Sequence, residues 1–126
     1  MAYHNFTLIP EAPTAEDPEM SLIHRNHEEM TKFLRDLVEK YPTLCKMDTI
    51  GKSVQGRDLW IMEISDNPGE HELLEPEFKL IGNMHGNESK GRVIALALIE
   101  HLLDNYGTDD RITKLVDTHR IVVMPR

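Results

Sequence analysis

The stretch from Phe78 to Met124 restricts the fold more than any other part of the chain. It reads as a strand from Phe78 to Asn83, a helix from Ser89 to about Tyr106, a short amphipathic helix from about Asp109 to Val116, and a last strand from Arg120 to Met124. In the long helix Val93, Ile94, Leu96, Ala97, Leu98, Ile99, Leu102 and Leu103 go most of the way round, which predicts burial on more than one side. Strand, buried helix, strand is a crossover unit. The fold class is therefore α/β, with at least part of the sheet parallel.

The preceding residues supply the remainder of one domain. Asn26 is placed to cap a helix with Glu29 three residues on, and Met30, Phe33, Leu34, Leu37, Val38 and Tyr41 follow at helical spacing until Pro42 stops it. That apolar stripe predicts a helix covering one sheet face. Two further strands are expected, around Leu44 to Ile50 and from Leu59 to Ser65, joined by a hairpin-like turn between Gly51 and Gly56. Glu70 to Glu77 reads as an acidic surface loop.

Composition excludes several functions. The chain has 126 residues with 22 acidic against 14 basic side chains, a formal net charge of -8, and no basic run able to track a phosphate backbone, so nucleic acid is not expected as a partner. No run approaches the ~18 apolar residues of a membrane-spanning helix, and residues 1–20 lack the pattern of a signal peptide. Cys45, the single cysteine, excludes an internal disulfide and reads as a small buried residue.

Of seven histidines, only His85 has glutamate three residues later, in Asn83-Met84-His85-Gly86-Asn87-Glu88, and it falls between the carboxyl end of a strand and the start of a helix. Open α/β sheets place ligands at that edge. An imidazole and a carboxylate at this spacing, with Gly86 free to turn between them, suit two positions of a zinc site. A match of this kind is expected by chance in a chain so rich in both residues, so a hydrogen-bonded structural histidine stands as the alternative. No other histidine offers an obvious third ligand: His24 and His27 flank the first helix start, and His71 lies in the acidic loop. His101 sits on the long helix with Asp104 three residues on, and His119 precedes the last strand at the opposite end of the sheet.

The residues IGKSVQGR, EISDNPG, PEFK and GNMHGNE, in order between Ile50 and Arg92, closely resemble the regulatory (N/E type) zinc metallocarboxypeptidases of the M14 peptidases. The resemblance runs from about His27 through Pro125. It implies an incomplete zinc-carboxypeptidase-like domain, α/β with a partial mixed β-sheet and flanking helices. His85 and Glu88 are then the first two ligands of Zn2+. The family removes C-terminal residues, usually Lys or Arg, from peptides and proteins, so peptide or protein C-termini are the implied partners.

Departures from the family pattern set further expectations. The resemblance places the third zinc ligand, the substrate-binding residues and the general base after Arg126, so no catalytic residue is expected within this chain. Residues 1–9, with Asn5-Phe6-Thr7-Leu8, resemble the closing strand of a preceding transthyretin-like domain, 10–20 form an acidic Pro-rich linker, and 21–126 are the N-terminal part of a catalytic domain. The chain is accordingly expected to be a fragment of a secreted or secretory-pathway enzyme, or else a truncated product without activity. Asn5 and Asn87 begin glycosylation sequons, the second overlapping Glu88. An exposed sheet edge at residues 120–124 and an uncovered sheet face are expected to favour self-association.

Overall fold

A computed structural model describes residues 22–126. The closing strand expected at 1–9 and the linker at 10–20, with Asn5, lie outside the described residues. The element order is α1 (His27–Lys40), β1 (Cys45–Lys52), β2 (Asp58–Ile64), β3 (Glu77–Ile81), α2 (Ser89–Asp104), α3 (Asp110–Thr118) and β4 (Arg120–Met124). Every expected element is present, with ends shifted by a few residues.

Local chemistry explains the boundaries. Asn26 accepts hydrogen bonds from the N–H groups of Glu28 and Glu29, and Glu29 accepts one from Asn26 N–H, so orphan donors at the start of α1 are satisfied reciprocally. Asp109 likewise accepts from the N–H groups of Arg111 and Ile112 at the start of α3. The amino end of α2 is different, because Glu88 occupies its cap position and makes no side-chain cap.

The sheet order is β1-β2-β4-β3, with β1–β2 and β2–β4 antiparallel and β3–β4 parallel. The parallel pair is the expected crossover, and the sheet is mixed. Strand β4 lies inside the sheet, so the edge expected at residues 120–124 does not exist. The outer strands among the described residues are β1 and β3. The crossover places its second strand between β3 and the antiparallel hairpin, an order that local sequence pattern does not encode.

Alternation along the strands sends Cys45, Met62, Ile64, Ile121 and Val123 into one buried cluster with Met30, Leu34 and Leu37 of α1, the buried stripe of α2, and Ile112 and Val116 of α3. Helices of all three kinds thus pack on a single face of the sheet. Helix α2 buries Ala95, Leu96, Ala97, Ile99, Leu102 and Leu103, while Ile94 is exposed, so its burial is broad without being complete. Cys45 is buried as expected, and desolvation pushes its thiol up to about 11.

The second face carries a charge network instead of a helix among the described residues. Arg120 donates to Glu63 Oε2 and to Glu77 Oε1, each at 2.8 Å, and Glu63 also accepts the N–H of Gly69 at 2.6 Å. Burial pushes the Glu63 carboxyl up, but Arg120 and the Gly69 N–H outweigh it and hold the group below its ordinary value. We predict that Arg120→Met lowers stability at pH 7 by about 1–3 kcal/mol, since it leaves a buried carboxylate uncompensated. A depressed folded pKa contributes stability that is complete above the unfolded value of 4.5 and is lost as pH falls through the folded one. Urea titrations at pH 7 and pH 3 should therefore show the difference between the two proteins narrowing in acid.

Candidate metal centre

Strands β3 and β4 run parallel and β1 runs the same way two strands over, so three strands end at one edge of the sheet. The Gly82 N–H extends the ladder by bonding to Met124 O at 2.8 Å. The chain then turns through Asn83, whose φ of 50° is a left-handed conformation that asparagine tolerates better than most residues. Asn83 Nδ2 donates to Arg126 O at 3.0 Å, while its buried Oδ1 has no partner among the described residues.

Two glycines fix how the turn meets the helix. A Cβ on Gly82 would stand 2.6 Å from Gly91 O, and one on Gly91 would stand 2.7 Å from the backbone N of Asn83. Both obstacles are main chain, which cannot swing aside. The end of β3 and the first turn of α2 therefore touch backbone to backbone, and the six residues between them are forced to project outward.

Those residues include the expected pair. His85 Nδ1 lies 3.0 Å from Glu88 Oε1, and Glu88 Oε2 accepts the His85 N–H at 3.2 Å. Hydrogen bonding to the His85 side chain, and then to its backbone, holds the Glu88 carboxyl below its ordinary value. Both side chains are exposed, at 71% and 52%. Two ligand atoms on a tetrahedral zinc with bonds of about 2.0–2.1 Å stand roughly 3.3 Å apart, so the observed spacing fits two adjacent positions with a shift of tenths of an ångström.

The other histidines stand elsewhere. His27 Nε2 lies 2.9 Å from Asp58 O, His101 Nδ1 is 3.2 Å from Asn105 Nδ2, His119 Nδ1 is 2.8 Å from Thr118 Oγ1, and His71 is near Glu77. No third His, Cys, Asp or Glu among the described residues joins His85 and Glu88 at ligand spacing. Among the described residues the one such triplet is Asp66, Glu72 and Glu75, in the segment after β2, of which only Glu72 and Glu75 fall in the acidic loop expected from the sequence.

Sequence reasoning also missed a cavity of about 760 Å³ at the same sheet edge, between the β1–β2 turn, the entry to α1 and the first turns of α2. Arg57 and Arg92 line it. The available signal was the Gly-Arg pair that ends both IGKSVQGR and GNESKGR.

Comparison with known proteins agrees with this layout. The sequence model of the zinc carboxypeptidase family matches residues 30–126. Carboxypeptidase D of Anas platyrhynchos is 47% identical over 94% of this chain and 9% of its own length, and human carboxypeptidase D is 53% identical over 81% of this chain and 7% of its own. This chain thus spans less than a tenth of these curated relatives. Among solved structures, thrombin activatable fibrinolysis inhibitor superposes with a TM-score of 0.74 at 17% identity, covering 82% of this chain and 25% of that one. Carboxypeptidase A of Helicoverpa armigera gives 0.72 at 20% identity, with 82% and 24% covered. These likenesses establish the fold as part of a larger carboxypeptidase domain.

The glycine contact yields a prediction whose sign opposes ordinary helix propensity. Alanine in place of glycine inside a helix normally stabilises by about 1 kcal/mol. We expect Gly91→Ala to destabilise by about 1–3 kcal/mol, because its Cβ must displace the Asn83 backbone. Gly86→Ala, whose Cβ meets nothing within 4 Å, should be nearly neutral. Thermal unfolding followed by circular dichroism compares them directly.

Proposed function

Since the chain belongs to the zinc carboxypeptidase family, we propose that it is the part of a metallocarboxypeptidase that supplies the first two zinc ligands, His85 and Glu88. The observation that carries this reading is the 3.0 Å approach of His85 Nδ1 to Glu88 Oε1 at the edge where three strands end. When bound there, zinc would supply Lewis acidity toward a scissile carbonyl and a lowered pKa for its water.

The residues of this chain hold and orient. His85 offers a ring nitrogen already directed at the carboxylate, and Glu88 offers an anionic oxygen kept ionised by its hydrogen bonds. Glu88 is not the general base, because coordination engages the lone pairs a base would need. The third ligand, the base and the groups that read the substrate come from sequence outside residues 1–126. Turnover therefore belongs to the longer protein, which releases C-terminal residues, Lys or Arg by the family resemblance, from peptides and proteins. The same resemblance assigns a secretory location. Asn87 lies exposed between the two ligands, where a glycan would crowd the metal, so Asn5 is the better of the two sequons.

A second reading concerns the 126-residue chain alone. With no third ligand among its described residues, it is catalytically silent and at most a weak zinc binder.

In the complete protein, His85→Ala should reduce release of C-terminal Arg by more than about a hundredfold, since even outer-shell changes cost 10- to 100-fold. Bound zinc, measured by elemental analysis, should fall in parallel. Full zinc content with wild-type turnover would sink the assignment. The isolated chain should release no Arg with added zinc, and a tight one-to-one complex by calorimetry would contradict the second reading.

A further inference from the structure

Beside the candidate metal centre, the 760 Å³ cavity has an electrostatic character opposite to that of the chain. The protein has a formal net charge of -8. Yet the cavity is lined by Lys52, Arg57 and Arg92 against the single carboxylate of Asp58, three cations to one anion even with Arg126 left aside. Asp58 is already engaged, since its Oδ1 accepts from Lys52 Nζ at 2.9 Å. Neither Arg57 nor Arg92 makes an ion pair with any described side-chain carboxylate, although Arg92 Nε meets a main-chain oxygen of Arg126.

The two guanidinium groups differ in how they are held. Arg92 is half-buried, and donates from Nε to Arg126 O at 2.6 Å and from Nη1 to Arg25 O at 3.2 Å, which restrains its guanidinium. Burial, and after it the Arg57 charge, lower its pKa from the ordinary value, though an arginine stays protonated across the accessible range. Arg57 projects from the β1–β2 turn. That turn is itself fixed, with Ser53 N–H donating to Arg57 O at 2.8 Å and Arg57 N–H to Ser53 Oγ at 3.2 Å, while the Arg57 guanidinium makes no hydrogen bond to the described residues.

Two cations that repel one another across a concave site, one of them anchored, are stabilised by an anion set between them. A planar fork of N–H donors matches carboxylate and phosphate oxygens. We propose that this cavity is an oxyanion-binding site, formed by Arg57 and Arg92, that accepts a carboxylate or phosphate group. The site shares the sheet edge with His85 and Glu88 but uses neither of them.

The test is binding to the 126-residue chain with its C-terminus amidated, so that Arg126 presents a carbonyl and not a carboxylate to Arg92, read by nuclear magnetic resonance with EDTA present and ionic strength held constant with sodium chloride. Titration with inorganic phosphate should give saturable shifts confined to the amides of residues 53–57 and to the Arg57 and Arg92 side-chain Nε–H signals. Arg57→Gln, which removes no hydrogen bond of the fold, should weaken phosphate binding about tenfold, whereas Lys79→Gln outside the cavity should leave it unchanged. A second titration uses acetyl-Gly-Glu-Gly-amide with the Gln peptide as its control. Tighter binding of the Glu peptide than of phosphate identifies an acidic side chain as the natural anion, and phosphate binding alone identifies a free or esterified phosphate. Absence of saturation with either probe, or affinities unaltered by Arg57→Gln, would overturn the proposal. Because no zinc and no turnover enter the measurement, that outcome would leave the metal reading of His85 and Glu88 untouched.

Discussion

The contact between Gly82 and Gly91 is the constraint on which the rest of this structure depends. A parallel strand pair must be joined by a crossover, and here the crossover begins with a backbone-to-backbone approach too close for any Cβ. Bringing β3 and α2 this near lets α2 bury Leu96, Ile99 and Leu103 against Ile121 and Val123. It also leaves the linking residues no path but outward, past the carboxyl ends of the strands. Core packing and the display of His85 and Glu88 are two consequences of one steric condition.

One-sided packing follows from the same crossover. All three helices bury against the face that carries Cys45, Met62, Ile64, Ile121 and Val123. The reverse face must then tolerate water or a further layer, and its side chains are of both kinds. Glu63, Glu77 and Arg120 satisfy one another there, while Val122 and Met124 remain half-buried. A charge pair this poorly hydrated contributes little over an apolar pair of equal volume, but removing one partner is costly. Arg120 therefore acts as a condition on how β2, β3 and β4 align rather than as a large source of stability.

Much of this was legible in the sequence because it is encoded locally. The Asn26–Glu29 capping box, the apolar stripe of α1 and the crossover around α2 each follow from a short window of residues. The placement of His85 and Glu88 followed from their position between strand and helix. Strand order did not, since the insertion of β4 between β2 and β3 is decided by long-range packing, and the edge expected at β4 was wrong for that reason. The cavity was equally invisible. Arg57 and Arg92 lie 35 positions apart and meet only because the β1–β2 turn folds back toward the first turn of α2.

Glu88 shows how the local and long-range terms combine at the candidate centre. It occupies the cap position of α2, where a carboxylate would ordinarily accept from the first free N–H groups, yet it makes no such bond. Its oxygens turn back to His85 N–H and Nδ1 instead. Because Gly91 holds the helix start against Asn83, residues 85–88 close a tight turn, with Glu88 N–H bonded to His85 O at 2.9 Å, and the carboxylate meets the imidazole before it can reach the helix amides. The helix end forgoes a cap worth about 1 kcal/mol. In exchange, the two atoms proposed as ligands stand at nearly the separation that a tetrahedral ion requires, so little rearrangement separates the pair from such a geometry. A local rule of helix stability is broken where the chain's function is proposed to lie, which is where such violations are expected.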